Sequence, residues 1–187
     1  MKNIDRIWFL TWTTYGTWLP GEERGFVTKQ RTLAGRNFIH NRPGTSIDHS
    51  VEPLACYSHS LLKQPPVYLT RMHAEQLLPQ FLETGNVRNW TLFAVAIMRN
   101  HIHLIVGVPG DPIPEKILGD FKSYGSRKLN QVQVDSPPPA WWTQSGSKRK
   151  ITGENAIRAV VRYIQNQKSP LLTWAHELFE NERVLEK

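Results

Sequence analysis

A single cysteine, Cys56, in 187 residues excludes an internal disulfide and fits a reducing cytosol. No apolar run approaches the ~20 residues that a membrane-spanning helix needs, and the first residues lack the apolar core of a secretory signal. The expectation is a cytoplasmic protein with no membrane partner. Acidic residues are also scarce, 16 against 23 Lys and Arg, which gives a net charge of +7 and an isoelectric point near 9.7. That balance favours an anionic partner, nucleic acid first, although a basic soluble protein that merely avoids aggregation would share it. There is no internal repeat and no low-complexity tract. At this length the chain reads as one domain, 1–187, long enough to bury a proper core.

What is present begins with Ile7–Tyr15, an aromatic and β-branched stretch that reads as a strand ended by Gly16 and Pro20-Gly21. From about 22 to 66 the composition turns polar, punctuated by Gly and Pro, and reads as an insertion or long loop. Its cations Lys29, Arg31, Arg36, Arg42 and Lys63 could track a phosphate backbone, or simply face solvent.

A helix is expected over Thr70–Glu83, with Gly85 as its stop. Two apolar runs follow, Leu92–Ile97 and His101–Gly107, joined by the polar corner Arg99-Asn100 as in a hairpin. On a strand, residues two apart share a face, so His101 and His103 point together while Ile102 and Leu104 point into the core. Two imidazoles side by side could supply two ligands to a divalent metal. Alone, the pattern is more often a pair of partly exposed histidines than a metal site.

A second helix carries the stripe Ile117, Leu118, Phe121, Tyr124 and Leu129, with Lys116, Lys122, Arg127 and Lys128 on its other faces. Those cations are candidate phosphate contacts. After Pro137-Pro138-Pro139, the pair Trp141-Trp142 reads as a short strand or an aromatic platform, followed by Lys148, Arg149 and Lys150. Adjacent tryptophans are more often half-buried packing residues, and one ring inward with one outward would satisfy both readings. Trp142 with those three cations makes a candidate surface for single-stranded nucleic acid. Thr152 is the expected N-cap of a third helix, whose stripe is Ala156, Ile157, Val160, Val161 and Ile164. Tyr163 and Gln167 lie one turn apart on its flank and can address one point. Leu171–Lys187 reads as a further helix.

Asn100-His101-Ile102-His103-Leu104-Ile105-Val106 resembles the His-hydrophobe-His ("HUH") strand of single-tyrosine transposases. Tyr163-Ile164-Gln165-Asn166-Gln167 resembles their nucleophile helix. The aromatic first strand, the Phe121–Tyr124 helix and the Trp142 region follow in the family's order. The resemblance covers roughly 5–20 and 67–170, and extends to insertion-sequence transposases and REP-associated tyrosine transposases alike.

The resemblance implies an α/β (α+β) fold with a ferredoxin-like antiparallel sheet and helices packed on it. It implies Tyr163 as catalytic nucleophile, with His101, His103 and Gln167 as ligands of a divalent metal, Mg²⁺ or Mn²⁺. The implied activity is that of a prokaryotic DNA transposase. It would nick and join single-stranded or hairpin DNA through a 5′-phosphotyrosine intermediate, as a homodimer or a monomer. Two other readings stay open. One is a domesticated hairpin-DNA-binding protein with little nuclease activity. The other is an unrelated metal hydrolase that would need a third acidic or His ligand.

Overall fold

The computed structural model describes residues 3–23, 30–33, 36–39 and 51–182. They divide into two compact units, Tyr15–Pro66 and the chain on either side of it. In chain order the elements are β1 (Arg6–Thr13), β2 (Gln30–Leu33), β3 (Arg36–Ile39), α1 (Glu52–Ser60), α2 (Arg71–Val87), β4 (Thr91–Ile97), β5 (His101–Val108), α3 (Pro114–Val132), β6 (Ser147–Ile151), α4 (Glu154–Gln165) and β7 (Leu172–Ala175). A 3-10 turn over Glu177–Glu182 follows. No helix among the described residues is long and apolar enough to cross a membrane.

In the larger unit five strands form an antiparallel sheet in the order β6-β1-β5-β4-β7. Strands β1, β4, β5 and β6 with crossover helices α2 and α3 make the β-α-β-β-α-β arrangement of ferredoxin-like folds, and α4 and β7 are added to it. The register sorts the side chains. Leu10 pairs with Leu104 and Trp12 with Ile102, and all four are buried on the face that carries α2 and α3. Trp12 meets Phe81 of α2 edge-on, with ring centroids 5.8 Å apart, and Phe81 meets Phe121 of α3 at 5.7 Å. Each such large apolar side chain contributes roughly 2 kcal/mol by leaving water. The opposite face packs Ala94, Ala96 and Ile105 against Val161 and Ile164 of α4. The α4 stripe therefore docks on the face that bears His101 and His103.

Tyr15–Pro66 contains the β2–β3 hairpin and α1, which starts with a proline in its first turn and buries none of its residues. Gly21 sits at φ +93°, and a Cβ there would fall 2.7 Å from the Val51 carbonyl oxygen, so only glycine fits this turn. Lys29 and Arg42 lie outside the described residues.

Several expectations shift. Helix α2 runs through Gly85 to Val87, because that glycine is buried against Leu92 and Trp90 rather than capping the helix. The reversal falls at Asn89, at φ 58°, a conformation that asparagine tolerates better than most residues. Gly153, at φ 84°, is the N-cap of α4 in place of Thr152, and the helix ends at Gln165. Trp142 makes one isolated bridge to Thr14 instead of a strand. The fourth core strand is Ser147–Ile151, paired with the open edge of β1. The region expected as a last helix forms β7 and the 3-10 turn. Flanking bonds from Leu171 N–H to Ile97 O (2.9 Å) and from His176 N–H to Phe93 O (2.8 Å) zip it onto β4. Residues 183–187 lie outside the described residues.

Gly146 brings β6 close to β1. A Cβ there would fall 2.8 Å from the Thr11 carbonyl oxygen and 2.9 Å from Leu118 Cδ2. Gly146→Ala is expected to lower stability by about 2 kcal/mol, since backbone must move. The urea midpoint of unfolding checks it, and an unchanged midpoint would mean the strand shifts freely.

Candidate active site

Strand β5 places His101 and His103 on the α4 side of the sheet, and the antiparallel register sets Thr13 opposite His101 and Thr11 opposite His103. The two imidazole centroids are 4.7 Å apart. Tyr163 projects from the flank of the apolar stripe of α4, and its ring lies 5.3 Å from His103 and 6.0 Å from Phe9. Phe9 in turn lies 5.6 Å from His103, so four rings from three elements form one cluster within a single chain. His103 is 6% exposed, whereas Tyr163 is 51% exposed. The result is a buried His103, a half-buried His101 and an accessible phenol at their edge.

His101 Nδ1 lies 2.7 Å from Asn100 Oδ1, and His103 Nδ1 lies 2.8 Å from Thr11 Oγ1. Burial, then the nearby charge of His101, holds His103 well below the usual histidine range, at about 4. The ring is therefore neutral at physiological pH, the form that binds metal.

This has a measurable consequence. Above pH ~6.5 the ring is neutral in both folded and unfolded chains and adds no pH dependence. As pH falls from ~6.5 toward 4, the unfolded chain takes up a proton that the folded site refuses, so stability falls with pH. The loss attributable to His103 should approach about 3 kcal/mol at the bottom of that window. Urea unfolding across this range in chelator, wild type against His103→Asn, reads it as a steeper slope in wild type; parallel slopes would contradict it.

Gln167 lies just past α4. Its Nε2 donates to the Tyr163 carbonyl oxygen at 3.0 Å, which ties the two residues together and leaves the amide oxygen as the atom suited to a cation. Imidazole nitrogen and amide oxygen are donor types that a hard or borderline divalent ion accepts. Among the described residues no three His, Cys, Asp or Glu side chains cluster as a metal site. Asp111 pairs with Arg6 and Asp120 with Arg88.

The candidate nucleic-acid contacts separate. Both indoles of Trp141-Trp142 are buried, at 3% and 8% exposure, and Trp142 stacks edge-on against Trp12 while its Nε1 donates to Lys122 O. Neither ring turns outward, so the pair packs into the core and Trp142 offers no stacking platform. Lys122 is half-buried, and its ammonium donates to the carbonyls of Thr143, Gln144 and Ser145. Burial, then the charge of Lys148, draws Lys122 down to about 8. Lys148 pairs with Glu115 at 3.1 Å. Arg127 covers the Tyr124 ring, its guanidinium 5.1 Å from the centroid, beside Lys128 on the α2–α3 side.

The β1–β6 register sorts the rest. Arg149 is the partner of Phe9 and shares the histidine face, whereas Lys148 and Lys150 are the partners of Leu10 and Trp8 on the other face. Arg149 and Lys150 are exposed. Phe9 and Thr11 escaped notice in the sequence. Alternation along β1 puts them on one face, but only strand register sets them beside the histidines.

The family model for IS200-like transposases matches residues 54–167, a span that includes both histidines, Tyr163 and Gln167. Two solved structures are similar. One is a REP-associated tyrosine transposase bound to a REP hairpin, at TM-score 0.47 and 14% identity over 88% of this chain and 67% of that one. The other is a candidate transposase from Deinococcus radiodurans R1, at TM-score 0.44 and 14% identity over 89% of this chain and 95% of that one. No curated protein matches the chain.

Proposed function

Because this chain belongs to the IS200-like transposase family, we propose that it cuts and rejoins single-stranded, hairpin-containing DNA with Tyr163 as nucleophile. The observation that carries this reading is the ring cluster, in which an exposed phenol sits at the edge of an imidazole pair whose inner member, His103, is buried and neutral. His101 and His103, with the Gln167 amide oxygen, would hold a Mg²⁺ or Mn²⁺ ion. When bound, such an ion neutralises phosphate charge and orients the phosphorus for in-line attack.

The chain's own part is positional. Tyr163 loses its proton, its oxygen forms a bond to phosphorus, and the bond from phosphorus to the 3′ oxygen breaks. The products are a 5′-phosphotyrosine link and a free 3′-OH. The link keeps the phosphodiester's energy, so attack by another 3′-OH rejoins the strand and returns Tyr163. Phenols are protonated at neutral pH, so proton removal needs help from the ion or a base. The ring cluster forms within one chain, and the resemblance implies a homodimer or a monomer.

Incubation of the chain with labelled hairpin-bearing single-stranded DNA and Mn²⁺ tests the reading. A metal-dependent, protein-linked band on a denaturing gel is expected. Cleavage without a protein-linked band would favour water as nucleophile, and binding without cleavage would favour a DNA-recognition protein.

Arg149 is the cation that this reading assigns to the substrate backbone, since it alone of the β6 cations shares the histidine face. Arg149→Ala should weaken single-strand binding by about 3- to 10-fold and reduce the salt slope by about one unit. Lys148→Ala, whose ammonium is paired with Glu115 on the other face, should leave that slope unchanged. Equal losses from both variants would remove the distinction.

A further inference from the structure

An imidazole has two ring nitrogens, and the hydrogen bond at one decides which of them offers a lone pair. Asn100 Oδ1, 2.7 Å from His101 Nδ1, is an amide oxygen and can only accept. That bond places the proton on Nδ1 and the lone pair on Nε2. Thr11 Oγ1, 2.8 Å from His103 Nδ1, can donate or accept. Thr11 is the cross-strand partner of His103, so the sheet register fixes its hydroxyl beside that nitrogen however α4 moves. In both rings it is Nδ1 that the scaffold engages. The ring centroids are 4.7 Å apart, close enough for one ion to reach both rings.

We infer that Thr11 and Asn100 are positioning residues, Asn100 fixing the Nδ1–H tautomer of His101 and Thr11 accepting from Nδ1–H of His103, and that they so present two Nε2 lone pairs to one divalent cation. The inference rests on the metal reading given above. It also narrows the class of ion. Ligating histidines are often backed by a carboxylate, which raises their basicity and tightens the site. Here the partners are a hydroxyl and an amide, both neutral. The donors are accordingly only moderately basic, and no third His, Cys, Asp or Glu closes the site among the described residues. Such a site suits a weakly held, exchangeable hard cation such as Mn²⁺ or Mg²⁺, in contrast to the closed four-ligand sites that retain Zn²⁺.

Two measurements on the DNA-free chain test this. Long-range ¹H–¹⁵N spectra of the metal-free protein read the tautomers directly. Both rings should show Nδ1–H, and an Nε2–H signature at either ring would overturn the inference for that residue pair. Titration with Mn²⁺, followed by the loss of the free-ion paramagnetic resonance signal, reads affinity without any activity. Thr11→Val removes the hydroxyl at nearly constant volume and should weaken Mn²⁺ by about 10- to 100-fold, with Thr11→Ser restoring it to within about threefold.

Asn100→Asp keeps the acceptor and adds charge. It should tighten Mn²⁺ several-fold and raise preference for Zn²⁺, an opposite sign that loss of structure would not produce. It also carries the test if Thr11→Val does not fold. Wild-type affinity in Thr11→Val, or weaker binding in Asn100→Asp, would overturn the inference alone. A wild-type chain that binds neither Mn²⁺ nor Mg²⁺ would overturn the metal reading and this inference with it.

Discussion

Tyr163→Phe is expected to abolish the covalent protein–DNA species and to slow strand cleavage on the order of 10³-fold or more, with DNA binding within about threefold of wild type. The phenyl ring keeps the edge contacts with His103 and Phe9, so the variant removes one oxygen and little packing. Tyr163 is half exposed, which makes a large stability loss from that oxygen implausible on physical grounds. A fall in cleavage with unchanged binding and an unchanged unfolding midpoint therefore isolates the chemistry. The other described tyrosines have different surroundings. The Tyr15 hydroxyl accepts from the Lys63 N–H, Tyr57 is exposed on α1, Tyr68 lies under the Arg99 guanidinium, and Tyr124 lies under Arg127. An adduct that persists in Tyr163→Phe would move the nucleophile to one of them.

Removal of an imidazole should have the second largest effect. His101→Ala is expected to lower metal-dependent cleavage by about 10²- to 10³-fold and to weaken Mn²⁺ binding in step. His103→Ala should do the same and also destabilise the fold, because its ring is buried between Phe9 and Tyr163 and leaves a void. The double variant should be little worse than either single one, since the two rings act as a unit and one ligand without the other has little left to do. Additive losses would instead describe two independent contacts with the substrate. Raised Mn²⁺ that restores His101→Ala but not Tyr163→Phe would separate ligand from nucleophile in one experiment.

The parts of this molecule legible in its sequence are those where local pattern and tertiary role agree. The β4–β5 hairpin announces itself through two apolar runs and a polar corner, and alternation along β5 alone puts both histidines on one side. The α4 stripe likewise predicts which face docks, and hence that Tyr163 lies at its margin. Strand β6 is not legible. Ser-Lys-Arg-Lys has no preference for a strand, and it becomes one because β1 would otherwise present an open edge. Strand β7 is too short to show a period and forms by pairing along β4.

Gly85 reads as a stop in sequence, yet it serves close packing, a distinction visible only once Leu92 is seen against it. Trp142 reads as a stacking platform because adjacent tryptophans beside cations suit that role. Its burial follows from Trp12, which the sequence does not place near it. The histidine pair and the tyrosine could be named from their motif. Thr11, Asn100 and Phe9 around them needed the sheet register, a long-range property that composition and spacing do not carry.

Mapping of the linked residue tests the central chemistry most directly. The chain would be incubated with hairpin-bearing single-stranded DNA and Mn²⁺, digested with nuclease and protease, and sequenced by tandem mass spectrometry. A nucleotide phosphate on the Tyr163 oxygen, absent when chelator replaces Mn²⁺, is the expected result. A nucleotide on any other residue, or cleaved DNA with no modified peptide, would contradict Tyr163 as the nucleophile.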